Sequence, residues 1–303
     1  MSDKHITMQQ EQRQPATVTV VGAGIFGLWQ AFELARRGHA VTLREAMNEH
    51  EMGGASRMAG AMLAPYCEAE AAEPIVRDLG LAGLAIWKAA FPGVTARGSV
   101  VVAAARDLGE LTRFARMTEG HRLVDATQLA ELEHDLAGRF SRALFYEAEA
   151  HLPPRAALAF LAAELRRLGA TLRFGDPAGD PVWRAAAAGE LVIDCRGLAA
   201  RDSLPDLRGV RGEMIVVRTP DIGLSRPVRL LHPRFPLYVV PWGEMRYMIG
   251  ATVIEREDLG PVTVRSALEL LGAAYAIHPA FAEAEILELG AGVRPAFSDN
   301  VPR

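Results

Sequence analysis

Residues 17–45 hold the feature that most restricts what this chain can fold into. Thr17-Val-Thr-Val-Val21 is a short run of apolar, mostly β-branched residues, the pattern of a strand buried on both faces of a parallel sheet. Gly22-Ala-Gly24-Ile-Phe-Gly27 follows at once and opens an apolar-periodic stretch, predicted helical over 25–37, that stops at Arg36-Arg37-Gly38. The two arginines suit the negative end of a helix, and Gly38 suits its cap. A second strand, 40–44, runs into the acidic Glu45, 21 positions after Gly24. A lone GxGxxG is a weak signal, but here strand, helix and acidic residue all stand where a dinucleotide site needs them. Gly22 permits the tight turn, Gly24 lets a pyrophosphate approach the backbone, Gly27 lets helix and strand pack closely, and Glu45 meets a ribose hydroxyl. The helix N-terminus faces the anion. The fingerprint itself does not separate NAD from FAD.

The loop after Glu45 favours a flavin. Residues 50–66 are rich in Gly, Ala and Met, too small in their side chains for one regular packed helix. Ser56 with Ala55, Ala59, Gly60 and Ala61 would bring amides and a hydroxyl against phosphates and a ring, where a nicotinamide enzyme would proceed into another helix. Helical patterns follow over 68–91, 106–117, 126–134, 154–168 and 263–276. Strand patterns cover 99–104, 170–174, 191–195 and 285–289, with 290–295 read as a loop. The segment 208–255 alternates instead, with strands near 211–218, 227–232, 236–241 and 245–252, so it reads as an antiparallel sheet. The fold class is therefore α/β: a Rossmann-type domain over 17–85, 150–205 and 284–303, interleaved with an antiparallel substrate domain over 86–149 and 206–283. A site is expected where the two sheets meet. No internal repeat is evident.

Composition excludes other classes. With 303 residues, half of them hydrophobic, the chain can bury a large core. Lys+Arg 33 against Asp+Glu 37 leaves a net charge of −4 and no basic block to track a phosphate backbone, which argues against nucleic acid. Only Lys4 and Lys88 are lysines, a bias that carries no chemistry. Cys67 and Cys195 lack ligand spacing, so neither a disulfide scaffold nor a metal site is supported. No apolar run has the length of a membrane span, and residues 1–16 form a polar lead without a secretory pattern. The expectation is a cytoplasmic protein with no membrane or nucleic-acid partner; a homo-oligomer is left open.

Gly54-Ala-Ser56-Arg-Met-Ala-Gly60-Ala-Met62-Leu-Ala-Pro65 resembles the second flavin-contacting motif of the D-amino acid oxidase superfamily, above all of the glycine oxidases of thiamine biosynthesis. The likeness continues in Tyr238-Val-Val-Pro241, in Ile249-Gly-Ala-Thr252 and in Gly290-Ala-Gly292-Val-Arg294-Pro295 followed by Asp299, and spans the chain from residue 17. It implies FAD held non-covalently. Ile25 and Phe26 would lie beside the pyrophosphate, Glu45 would hold the adenosine ribose, Ala55, Ser56, Gly60, Ala61 and Met62 would contact phosphates and flavin, and Gly292 would offer backbone near the ring. Tyr238 and Arg294 would bind the substrate carboxylate. Two departures stand out. Position 61 is Ala where glycine is frequent, which would crowd the flavin. The family also runs beyond the Arg-Pro loop into a further strand and a glycine-rich helix start, and the sequence as written ends at Arg303; the expectation is loose FAD binding and slow turnover for this stretch alone.

Arg294 has a physical claim of its own, since a guanidinium answers a planar carboxylate with two parallel hydrogen bonds. A single arginine is far more often a solvated surface group, and Tyr238 would more often be a core aromatic, so their places in the pattern carry the inference. His151, His232 and His278 are weak candidates for a base, because transfer of a hydride from an α-carbon to a flavin needs a neutral amine and an anchored carboxylate. The resemblance thus implies oxidation of glycine or a similar small amino acid to the imine with O2 reduced to hydrogen peroxide. A sarcosine, proline or D-amino acid oxidase or dehydrogenase, and a truncated flavin-domain protein without catalysis, remain open alternatives.

Overall fold

A computed structural model of the chain describes residues 15–177, 179–232 and 236–301. A four-stranded parallel sheet has the order β8 (Thr171–Phe174), β2 (Ala40–Glu45), β1 (Thr17–Val21), β9 (Leu191–Asp194). Helices α1 (Ile25–Arg36) and α6 (Pro154–Arg167) cover it: Leu28, Ala31, Phe32 and Leu161 pack with Val18, Val20 and Leu43. The periodic apolar positions of α1 read from the sequence are those that face this core. As expected, the helix ends beside a glycine in the left-handed region, Gly38 at φ +84°. Helix α7 (Asp180–Ala187) precedes β9 and had no counterpart in the sequence reading.

The second sheet has eight strands, in the order β14 (Glu285–Ala296), β10 (Arg208–Arg218), β13 (Arg246–Gly250), β12 (Leu237–Pro241), β11 (Val228–Leu231), β4 (Ser99–Ala103), β6 (Arg142–Tyr146), β5 (Arg122–Asp125). All its pairs are antiparallel except β4 with β11. One face packs under α5 (Ala126–Leu132) and α8 (Val264–Ile277), where Ile215, Val217, Val239 and Ile249 meet Leu129, Leu270 and Ala274. The other face carries Val101, Arg229, Tyr238, Gly250, Met214 and Gly290 in one cross-strand row. That row turns toward the flavin-type unit, and a two-stranded ribbon of β3 (Met62–Leu63) and β7 (Ala150–His151) lies at the seam.

Several expectations are corrected. Residues 290–295 are not a loop: β14 runs to Ala296 and pairs with β10 from Arg208 to Arg218, with one register shift at Val216/Val217, so this strand, expected with the parallel unit, forms an edge of the eight-stranded sheet. Pro295 is tolerated there because an edge strand has a ladder side with no partner. The helix expected over 68–91 is broken, with a short α2 (Pro65–Glu68) and a separate α3 (Pro74–Ala90). Pro74 opens the second helix and holds Glu73 in an extended conformation, which stops a continuous helix. Helix α4 (Leu108–Met117) lies where the pattern put it, while β5 and β6 went unassigned.

Candidate active site

The glycine-rich turn leaves β1 at the sheet's carboxyl edge, beside β9. Gly22 has φ +101°, and a β-carbon there would stand 2.3 Å from the Cys195 carbonyl oxygen; one on Gly27 would stand 1.8 Å from the Gly22 oxygen. Both glycines are therefore dictated by close backbone packing. Gly24 differs, because a β-carbon on it would find no protein atom nearer than 3.9 Å, the Ser56 hydroxyl. Its backbone borders a cradle.

Two side chains from other elements close on that cradle. The Glu45 carboxylate, at the end of β2, accepts hydrogen bonds from the Ala23 amide at 2.6 Å and the Met47 amide at 2.9 Å. The Ser56 hydroxyl, in the 3-10 turn Gly54–Met58, accepts from the Ile25 amide at 3.2 Å, so it meets the first turn of α1. Ile25 packs into the core, whereas Phe26 is 61% exposed in the same turn. Ala55 faces β14, its Cα 3.6 Å from where a β-carbon on Gly292 would be.

The loop then rises under the eight-stranded sheet. A β-carbon on Gly60 would lie 2.6 Å from Cε2 of Tyr238, so the glycine lets the chain pass directly beneath the tyrosine ring. Ala61 takes φ +52°, and its carbonyl accepts from the Leu152 amide at 3.1 Å. The glycine frequent here in the resembling proteins is thus replaced by a residue in a conformation that favours glycine. Met62 pairs with His151 in the seam ribbon and packs beside the buried Ala64 and Cys67.

Arg294 projects from β14 over Gly212 of β10. A β-carbon on Gly212 would collide with the guanidinium at 2.3 Å, so the missing side chain makes its berth. Its Nη2 donates a long bond, 3.4 Å, to the Thr252 carbonyl. Burial pushes the Tyr238 phenol above its ordinary pKa, and the nearby Arg294 and Arg229 charges pull it back. Tyr238 is thus a protonated donor within the field of two guanidiniums.

None of the three histidines makes a persuasive base. His151 is 4% exposed, and burial, with the Arg97 charge, lowers its pKa to about 4. His278 accepts from the Ala280 amide and caps a 3-10 turn. His232 stands at the end of β11, next to residues outside those described.

Residues 17–303 match the family of FAD dependent oxidoreductases. This chain belongs to that family. A Rhizobium etli protein named as a thiamine biosynthesis oxidoreductase, ThiO, is 53% identical over 287 residues, 94% of this chain and 86% of the relative. A D-amino-acid oxidase of Streptomyces coelicolor is 28% identical, over 94% and 85% of the two chains. Among solved structures, glycine oxidase from Geobacillus kaustophilus superposes with a TM-score of 0.75 at 25% identity, covering 94% of this chain and 84% of that one.

For an FAD dependent oxidoreductase the cradle fits its cofactor. The open approach at Gly24, the first turn of α1 and the Glu45 carboxylate lie at one strand edge, as a dinucleotide's pyrophosphate and ribose require. The small residues Ala55, Gly60 and Ala61 extend that path to the seam below Tyr238. Among the described residues no helix is long and apolar enough to cross a membrane, and no cluster of His, Cys, Asp or Glu could hold a metal ion.

Sequence reasoning missed Arg229. It stands directly opposite Tyr238 on β11, its side chain 18% exposed, and its Nη2 lies 2.5 Å from a carboxylate oxygen of Glu68 on α2. Beneath it, the fully buried Glu149 accepts from the Cys67 amide at 2.8 Å and from the Ser99 hydroxyl, which fixes α2 in place. Nothing in the local pattern marks Arg229, which enters through strand register alone.

Proposed function

We propose that this oxidoreductase oxidises glycine, or an amino acid of similar size, to the imine, with O2 leaving as hydrogen peroxide, in the thiazole branch of thiamine biosynthesis in the cytoplasm. The observation that carries the reading is the placement of Tyr238 and Arg294 on the sheet face above Gly60. The 53% identity to the Rhizobium etli thiamine biosynthesis oxidoreductase and the likeness to a glycine oxidase structure support it.

In this reading Arg294 grips the substrate carboxylate with two parallel N–H donors, and the protonated Tyr238 hydroxyl donates a third bond. Gly212 lets the guanidinium lie flat against the sheet. Glu45, Ser56 and the amide at Gly24 would hold the dinucleotide end of FAD. Bound FAD supplies the two-electron acceptor that no side chain offers. With its amine neutral, glycine gives up one Cα hydrogen with the electron pair and one N–H proton, leaving HN=CH–COO⁻; O2 takes that pair and both hydrogens as H2O2. No side chain base is required, so the residues act by anchoring and orienting.

The test is peroxide release by the FAD-loaded protein across glycine, sarcosine, proline and D-alanine. Glycine should give the highest kcat/KM. A clear preference for proline, or no peroxide from any of the four, would overturn the assignment.

A further inference from the structure

We infer that Arg229 is a second cationic arm of the substrate pocket, held in reserve by Glu68, and that it takes a second carboxylate on a dicarboxylate amine or inhibitor. The inference rests on the reading of Tyr238 and Arg294 as the substrate face.

Arg229 and Tyr238 are paired across β11 and β12, so their side chains leave the same face of the sheet as immediate neighbours. Arg294, Arg229 and Glu68 all act on the Tyr238 phenol, the guanidiniums stabilising its ionised form and the carboxylate opposing it. Tyr238 therefore stands between two arginines. If Arg294 is filled by the single carboxylate of glycine, nothing on that substrate remains for Arg229.

The state of the Arg229–Glu68 pair argues against a purely mechanical strap. Burial works against the Arg229 charge, yet the Glu68 carboxylate, by its charge and its hydrogen bond, holds it more firmly than water would. A buried guanidinium needs an anion. The anion it has is unequal to it in burial: the Arg229 side chain is 18% exposed and the Glu68 side chain 55%. Replacing Glu68 by another carboxylate keeps the buried charge paired and returns Glu68 to water, so the exchange sacrifices no buried interaction. The rest of α2 need not move, because Glu149 and Ser99 lock it at Cys67 rather than at Glu68.

The two readings give opposite signs for one substitution. Glu68→Gln removes the competing carboxylate while keeping size. On a reserve site it should strengthen dicarboxylates selectively; on a strap it should loosen the sheet and weaken all ligands together. Titration calorimetry of the FAD-loaded protein with acetate and malonate reads this without turnover. The malonate-to-acetate affinity ratio is expected to rise at least tenfold in Glu68→Gln, and the kcat/KM ratio of iminodiacetate to glycine should rise with it. Arg229→Met in the Glu68→Gln background should cancel both gains. An unchanged or falling malonate ratio in Glu68→Gln overturns the inference, and that single variant decides it even if the Arg229→Met protein fails to fold. Because malonate binding needs no chemistry, a protein that oxidises none of the amines yet shows the malonate gain would sink the oxidase reading and leave this site standing.

Discussion

Gly60 passes so close beneath Tyr238 that a β-carbon on it would stand 2.6 Å from the ring carbon Cε2. This contact joins the loop after the glycine-rich turn to the eight-stranded sheet, and it explains a glycine at a position whose backbone angles do not demand one. Gly60→Ala should push the ring upward and misplace its hydroxyl. Overpacking of this kind costs about 1–3 kcal/mol. A rise of at least tenfold in KM for glycine is expected, with a lowered Tm. A variant with wild-type KM would show that the Tyr238 hydroxyl takes no part in binding.

Ala61 sits at φ +52°, where a β-carbon costs about 1–2 kcal/mol and glycine costs nothing sterically. Glycine's freer unfolded chain returns part of that, at about 0.4–1 kcal/mol. Ala61→Gly should therefore raise Tm by roughly 1–4 °C. Scanning calorimetry of the FAD-loaded protein checks it, and a Tm lowered by the substitution would mean that the alanine methyl makes compensating contacts.

Glu45 binds two amides of its own chain, so its carboxylate is already aimed at the glycine-rich turn. Glu45→Ala removes both bonds along with the proposed partner of the ribose. A hydrogen bond to a charged group is worth about 1.5–3 kcal/mol, or roughly 10- to 100-fold in affinity. FAD titrated into apoprotein should bind that much more weakly, while equal affinity would remove Glu45 from the cofactor site.

His151 is buried and neutral, with its pKa lowered to about 4 from the usual 6.5. The unfolded chain therefore takes up a proton below about pH 6.5 that the folded chain refuses until about pH 4. Stability from this residue is full above pH 6.5 and is lost as pH falls between the two values, by about 3 kcal/mol in all. His151→Gln should flatten the acid limb of a Tm-against-pH curve between 6.5 and 4. An unaltered slope would place the acid sensitivity elsewhere. The buried Glu149, whose carboxyl burial pushes up, works in the opposite sense, costing stability as pH rises.

What could be read from the sequence was what local backbone chemistry dictates. Gly22 is demanded by its own left-handed turn and Gly27 by its contact with Gly22 within one βαβ unit, and Glu45 by the length of that unit, so their pattern survives as a string. Residues 290–295 misled because Gly-Ala-Gly and Arg-Pro are turn signals in isolation. In the sheet, Gly212 faces Gly292 and makes room for Arg294, and the same residues become a strand. Pro74 was a legible break that a long apolar period concealed. Arg229 was beyond reach, since only the pairing of β11 with β12 sets it beside Tyr238, and only α2, 161 positions away in sequence at Glu68, supplies its anion.

The most direct measurement of the central claim is anaerobic mixing of the FAD-loaded protein with glycine, followed by the visible absorbance of the flavin. The wild-type band should bleach completely as glycine is oxidised. In Arg294→Lys, where a point charge replaces the planar fork, bleaching should slow by at least about 100-fold, the loss of roughly 3 kcal/mol of orientation and binding. A wild-type band that glycine leaves intact, or a lysine variant that bleaches as fast as the parent, would contradict a substrate carboxylate anchored by Arg294.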